Sequence, residues 1–269
     1  RFGRTIGSPI ALEVANRDWE NWTERMAAFG EAPRDLVREV TPRPGHADLT
    51  GIKKYNRQDI RDILERASAR ETAARVAVGA LAKQFLRACG MEVVSQVCNI
   101  GGVAAAAENI DREVIGRGDS ELNCYDAAAE ETMKEKIRAA KAAGDTLGGT
   151  FEVIVRHAPL GLGSHIQWDR RLDGQIAAAI VSIPAIKGVE FGLGFQAAAR
   201  PGSLVHDPIV LADGEFRRAS NNAGGLEGGM TTGMPLVITA AMKPIPTLMT
   251  PLETVNLDTL CVEEASKER

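Results

Sequence analysis

Residues 221–233, NNAGGLEGGMTTG, place five glycines in thirteen positions, just ahead of the basic, proline-punctuated MKPIPT. Glycine loses more backbone freedom on folding than any other residue, so such a cluster persists only where the main chain turns left-handed or lies close against something. It interrupts any helix or regular strand here and marks either tight turns or a surface for a flat or phosphorylated ligand. The known phosphate loops do not account for it. A Walker loop needs Lys and then Ser or Thr directly after its last glycine, whereas Met230 and Thr231 follow Gly229. Neither this stretch nor Gly192-Leu193-Gly194 completes a G-x-G-x-x-G that opens a helix, so a dinucleotide fingerprint is missing.

Around the cluster, periodicity sets the elements. The run RQDIRDILERASARETAARVAVGALAKQFLRACG reads as helix and is apolar nearly all round from Ala73 to Leu86, the pattern of an interior helix. Ser68 and Glu71 form an S-x-x-E capping box, which predicts a helix starting afresh at Ala69. Its N-terminus would favour an anion by about 0.3–1 kcal/mol, with Arg66 and Arg70 adding charge; an ordinary cap with solvated arginines explains the feature equally well. YDAAAEETMKEKIRAAKAAGDTLGG predicts an amphipathic helix closed by Gly144, and GTFEVIVRHAPLG a strand leaving it. WDRRLDGQIAAAIVSIPAIKGVEFGLG predicts a second buried helix, a stop at Pro184 and another strand. SPIALEVAN, residues 8–16, suits a strand, and the polar stretch 16–40 a surface excursion. TPRPGHADL is a proline and glycine turn holding Arg43 and His46, and PLVITAAMKPIPTLMTPLETVNLD predicts a strand, a proline-set turn and an extended edge. Helices and strands recur without repeats and without a regular βαβ rhythm, so a single α+β domain over residues 1–269 is expected.

Composition limits what such a domain can do. A chain of 269 residues can bury roughly three quarters of the surface it exposes when unfolded. A formal charge of −4 provides no global basic field, so nucleic acid is not an expected partner. Cys89, Cys98, Cys124 and Cys261 make no CxxC and no Cys/His pair at ligand spacing, and are expected to be buried, reduced thiols. His157 and His165 fall on different elements and His206 in a loop, so no metal site is expected. No apolar run is long enough to span a bilayer, and the opening RFGRTIGSPI lacks the hydrophobic core of a secretory signal. A cytoplasmic protein with no membrane partner is expected, and the absence of an initiator Met gives the chain the look of an excised piece.

Six blocks decide between turn and ligand surface. RPGHADL, ERASARETAARVAVGALAK, GLGSHIQWDRRLD, IPAIKGVEFGLGF, NNAGGLEGGMTTGMP and AAMKPIPT stand in this order over nearly the whole chain, and together they closely resemble chorismate synthases. The resemblance implies an anti 1,4-elimination of phosphate from 5-enolpyruvylshikimate 3-phosphate to give chorismate, on the shikimate route to aromatic compounds. It also implies a requirement for reduced FMN, with NAD(P)H as a source of electrons in some members. The implied fold is a helical layer sandwiched between antiparallel β-sheets, assembled as a homotetramer. By the same resemblance, Arg66, Ala67 and Ser68 form the first FMN-binding segment, Pro184 and Ala185 the second, Gly228 the third, and Lys243, Pro244, Ile245, Pro246 and Thr247 the fourth. Arg269 matches the arginine that begins the family's Arg-Ser-Asp motif and binds flavin and substrate.

His46 matches one of the family's two catalytic histidines, a proton donor toward the reduced flavin, and imidazole titrates near neutrality as that task requires. Arg43 and Arg66 match substrate-binding positions, where a planar guanidinium meets phosphate or carboxylate in bidentate fashion. The family's opening Gly-Glu-Ser-His-Gly segment and the Asp two residues after Arg269 have no counterpart here. The 269-residue chain is therefore expected to be weakly active or inactive as it stands, with a noncatalytic flavin or phosphometabolite-binding module as the alternative.

Overall fold

A computed structural model describes residues 2–67, 70–106, 114–116 and 118–267. In chain order the elements are α1 (Asp48–Tyr55), α2 (Arg61–Leu64), α3 (Arg70–Ala88), β1 (Glu92–Ile100), β2 (Val103–Ala104), α4 (Ala127–Ala142), β3 (Gly149–Arg156), α5 (Leu172–Val181), β4 (Ile186–Phe191), β5 (Ile209–Ala212), β6 (Glu215–Arg218), β7 (Leu226–Glu227), β8 (Met230–Thr231), β9 (Leu236–Met242), β10 (Glu253–Val255) and β11 (Val262–Glu264). The protein mixes helices with antiparallel sheet, as the α+β expectation requires, and it divides into two compact units: Arg1–Ala82 with Pro251–Arg269, and Lys83–Thr250.

The second unit is built on a five-stranded antiparallel sheet in the order β2-β1-β3-β9-β4. Its β9, LVITAAM, sends Leu236, Ile238 and Ala240 to one face, paired with Val155, Val153 and Phe151 of β3. Both long helices of this unit pack on that face. From α5, Leu172, Ile176 and Ile180 recur every four residues and meet Leu236, Ile238, Val189 and Phe191. From α4, Ala129 and Met133 meet Val97, Ile100 and Val103. Asp126 caps α4, its side chain accepting the backbone N–H of Ala128 and Ala129 at 3.2 Å each. Gly144, left-handed at φ 71°, lies just beyond its end, where the sequence predicts the stop.

The first unit centres on Ile52, Ile60 and Leu64, with Ile63 and Leu257 packed against them. Gly51 lets α2 approach α1, since a Cβ there would stand 2.5 Å from Ile63 Cγ2. Residues 40–42 are tied to the C-terminal segment at three points: Leu257 N–H donates to Val40 O at 3.0 Å, Thr254 Oγ1 to Pro42 O at 2.7 Å, and Ser266 N–H to Thr41 O at 3.2 Å.

Four expectations change. Residues 8–16 form no strand: Ile10, Leu12 and Val14 are exposed and no described strand pairs with the segment, because alternation makes a strand only where a ladder partner exists. The helix read as interior, α3, is exposed along its apolar half, with Val76 at 65% and Phe85 at 68% exposure. Apolar residues around a helix state a need for cover, and none of the described elements supplies it for these two. In α5 no residue is fully buried, because the helix lies on the sheet as a single covering layer and its opposite side remains open. Of the cysteines only Cys124 is buried, in the α4 cluster, where burial pushes its thiol pKa up; Cys89 and Cys261 are exposed, the first just after α3 and the second just before the exposed β11.

Candidate active site

The first unit presents one polar cluster built from a turn and a helix start. Arg43-Pro44-Gly45-His46 forms a turn closed by His46 N–H to Arg43 O at 3.2 Å, with Gly45 at φ 78°. Proline at the second position and a left-handed glycine at the third are what a type II turn asks for, and the turn folds His46 back beside Arg43. Two residues later Asp48 opens α1, wholly buried. Its carboxylate accepts Arg43 Nε at 2.8 Å, Arg43 Nη2 at 3.1 Å and the Arg43 backbone N–H at 3.1 Å. It also lies 2.5 Å from His46 Nδ1.

Burial pushes the Asp48 carboxyl pKa up, and the hydrogen bonds from His46 and Arg43 outweigh it, bringing the value from 3.8 to about 2. Asp48 is thus a fixed anion at neutral pH. Arg43 Nη2 stands 3.1 Å from Nδ1 and 3.4 Å from Nε2 of His46. In the ring plane, a donor nearly equidistant from both nitrogens would collide with the Cε1–H between them, so the guanidinium lies over the ring face. Nδ1 therefore has Asp48 as its in-plane partner. Arg43, expected from the sequence to meet a substrate anion, is 7% exposed and clamps this Asp–His pair. Asp48 escaped the sequence reading, although the His-x-Asp spacing in RPGHAD and its place at a helix start were there to be weighed.

The expected cofactor segments divide between the units. In the first, Arg66 is exposed and 3.8 Å from Glu71, and Ala67 ends the turn after α2. Ser68 and Arg269 lie outside the described residues. In the second unit, Ala185 and Lys243 do meet: Lys243 N–H donates to Ala185 O at 3.0 Å. Ala185 sits at φ 70°, a left-handed conformation that a non-glycine residue adopts at some cost, directly after the exposed Pro184.

The run from Lys243 to Thr247 is held firmly. Thr146 Oγ1 donates to Ile245 O at 2.7 Å, and Gly144 O accepts the N–H groups of Met249 and Thr250 at 2.9 and 3.1 Å. Gly148 admits the turn, since a Cβ there would stand 2.5 Å from Met242 O and 2.9 Å from Pro244 Cδ. Thr247 is buried, Pro246 half-buried, and Pro244 and Ile245 exposed.

The glycine cluster resolves into two kinds of position. Gly224 is structural: a Cβ on it would stand 2.2 Å from the Gly192 nitrogen. This part of the loop is pinned by Asp207, which accepts the Ser220 hydroxyl and the N–H groups of Asn222 and Ala223. Burial would raise the Asp207 pKa, and these bonds lower it instead. Gly228 is different. At φ 57°, in the turn between β7 and β8, a Cβ on it would meet nothing within 4 Å, so a flat ligand could lie directly on the main chain. Arg218 braces the turn through Glu227, with bonds of 3.2 and 2.6 Å.

Two rulers separate Gly228 from the Ala185–Lys243 contact. Gly229 O accepts the Leu172 N–H at the start of α5, whereas Ala185 follows the end of that helix, about 15 Å along. Lys243 follows the last residue of β9, whereas Gly225 lies against Pro235 and Leu236 at its start, roughly 20 Å away. The two sets of expected flavin contacts stand at opposite ends of one helix and one strand. Among the described residues, no group of three or more His, Cys, Asp or Glu could hold a metal ion, and no helix is long and apolar enough to cross a membrane.

Comparison with known proteins bears on this geometry. The family described as chorismate synthase matches residues 1–269. The chain is 54% identical over 279 residues to chorismate synthase of Trichlorobacter lovleyi, covering 100% of this chain and 71% of the relative. It is 54% identical over 271 residues to that of Syntrophotalea carbinolica, with coverages of 100% and 70%, and 53% identical over 280 residues to that of Aquifex aeolicus, again with 100% and 70%. A solved structure titled as the crystal structure of chorismate synthase superposes with a TM-score of 0.68 at 52% identity, covering 75% of this chain and 63% of the other. The chain thus spans about 70% of the length of its curated relatives and somewhat less of the solved one. A single family accounts for every block from the RPGHAD turn to the lysine turn, and the chain belongs to it: the chorismate synthases.

Proposed function

We propose that the protein catalyses the chorismate synthase reaction. Phosphate leaves 5-enolpyruvylshikimate 3-phosphate, hydrogen is lost from C6, and the ring gains a second double bond to give chorismate, with no net oxidation. The reading is supported by family membership over residues 1–269 together with a positioned imidazole, His46, in the RPGHAD turn. His46 would hold and deliver a proton at Nε2, the nitrogen its bond to Asp48 leaves for other partners. Arg66 and Arg269 would bind the substrate's anionic groups, and Arg43 would contribute cationic charge at the same turn while holding Asp48.

Reduced FMN fits the residues present. Gly228 leaves main chain open, and the rigid Lys243–Thr247 turn, with Pro184 and Ala185 beside it, brings the Lys243 side chain to one spot. When bound, the reduced flavin would supply electron density to the substrate during elimination, and NAD(P)H would supply its electrons. We infer a homotetramer in which helices lie between antiparallel sheets, located in the cytoplasm. The separation of Gly228 from Ala185 and Lys243 favours flavin pockets completed by more than one protomer.

The test is phosphate release and chorismate formation under anaerobic conditions with reduced FMN, beside a visible-spectrum FMN titration. In the full-length enzyme, turnover that falls at least about tenfold in His46→Ala is the expected result. Flavin binding without phosphate release would reduce the protein to a binding module, and unchanged turnover in the variant would remove His46 from the mechanism.

A further inference from the structure

We propose that Asp48 is the positioning residue of His46: its buried carboxylate accepts the Nδ1–H hydrogen bond, fixes the tautomer and leaves Nε2 as the nitrogen that gains and gives the proton. Four donors converge on the Asp48 carboxylate, three from Arg43 and one from His46, and the side chain is fully buried, so it has one orientation available. An imidazole bonded at Nδ1 to a fixed anion carries its proton there when neutral, and Nε2 is then the site that gains and gives a proton. Arg43 serves the same end by a different contact. Its guanidinium holds both carboxylate oxygens and covers one face of the ring, so the imidazole cannot rotate about Cβ–Cγ without losing Asp48 or striking Nη2. The turn supplies the rest of the rigidity, since Pro42, immediately before Arg43, is tied to Thr254. Asp48 itself does not touch substrate or flavin; it acts through His46, and the inference rests on the reading of His46 as the proton donor.

The experiment reads the tautomer directly and the kinetics beside it. In protein labelled with 15N-histidine, imidazole correlation spectra above pH 8 are assigned by replacing the four histidines one at a time. The expected spectrum has His46 protonated at Nδ1 and bare at Nε2. Asp48→Asn, whose amide donates toward Nδ1 while its oxygen faces Arg43, moves the proton to Nε2, and Asp48→Glu returns it to Nδ1. In turnover, Asp48→Asn lowers kcat at least about tenfold with KM for the enolpyruvyl substrate and Kd for FMN within about threefold, and Asp48→Glu recovers part of the loss. A bare Nδ1 in the unaltered protein overturns the proposal, whether or not the variants fold. So does a kcat for Asp48→Asn within about twofold of the unaltered enzyme. Should the full-length protein show no turnover, the proposed reaction fails, and the spectra still decide the role of Asp48.

Discussion

Replacing Asp48 by Asn should produce a stability loss with a specific dependence on pH. The folded-state pKa of Asp48, about 2, lies below the ordinary 3.8, so the unfolded chain takes up the proton first as the solution is acidified. The stabilisation is therefore complete above pH 3.8 and is lost as pH falls through 2. At about 1.4 kcal/mol per pH unit, a fall from 3.8 to about 2 is worth roughly 2.5 kcal/mol at neutrality. The variant also leaves the buried Arg43 guanidinium without its anion, which brings the total loss at pH 7 to about 3–5 kcal/mol. Urea unfolding followed by tryptophan fluorescence, run on both proteins at pH 7, 5, 4 and 3, separates the two contributions. The gap between the proteins should hold steady from pH 7 to 5 and then narrow by about 1 kcal/mol by pH 3, as the linkage expression requires for these two pKa values. Other carboxylates titrate in both proteins and cancel in the difference. A gap that stays constant through pH 3, or that widens, would refute the claim that Asp48 is held ionised by His46 and Arg43.

Two glycine substitutions probe the expected flavin contacts. Gly148→Ala places a Cβ 2.5 Å from the Met242 carbonyl oxygen and must displace the Lys243–Pro244 turn; it should cost about 1–3 kcal/mol and weaken FMN binding in a spectral titration, and unchanged affinity would detach that turn from the flavin. Gly228→Ala meets no atom within 4 Å and suffers only its left-handed φ, as does Gly214→Ala in the turn between β5 and β6. Each should lose about 1 kcal/mol by thermal unfolding, but only Gly228→Ala should lose FMN affinity severalfold; equal affinities would show that no ligand lies on Gly228.

Much of the chain was legible because its signals are local. The α4 helix ends at Gly144 and β3 follows it, since amphipathic period, left-handed glycine and β-branched alternation each act within a few residues. The RPGH turn was equally legible, because Pro and Gly in that order restrict φ at adjacent positions. Asp48 was only half legible, since the His-x-Asp spacing in RPGHAD is local but the burial that aims its carboxylate back at the imidazole is not. The α3 helix misled for a related reason: apolar residues nearly all round it state a need for cover, and the covering partner is a matter of tertiary contact.

By itself, then, the order of residues determined the family, the α+β character, the end of α4 with the strand that follows it, and the turn that brings Arg43 to His46; β1, at the heart of the sheet, went unread. Only the tertiary structure decided that Arg43 serves Asp48, that Gly224 is packed while Gly228 is open, and that Gly228 and Lys243 stand at opposite ends of β9. Dihedral preference and hydrophobic period act within a few residues, whereas burial, close approach of backbones and the direction of a charged side chain depend on segments far apart in sequence. The first kind can be read along the chain, and the second exists only once those segments have met.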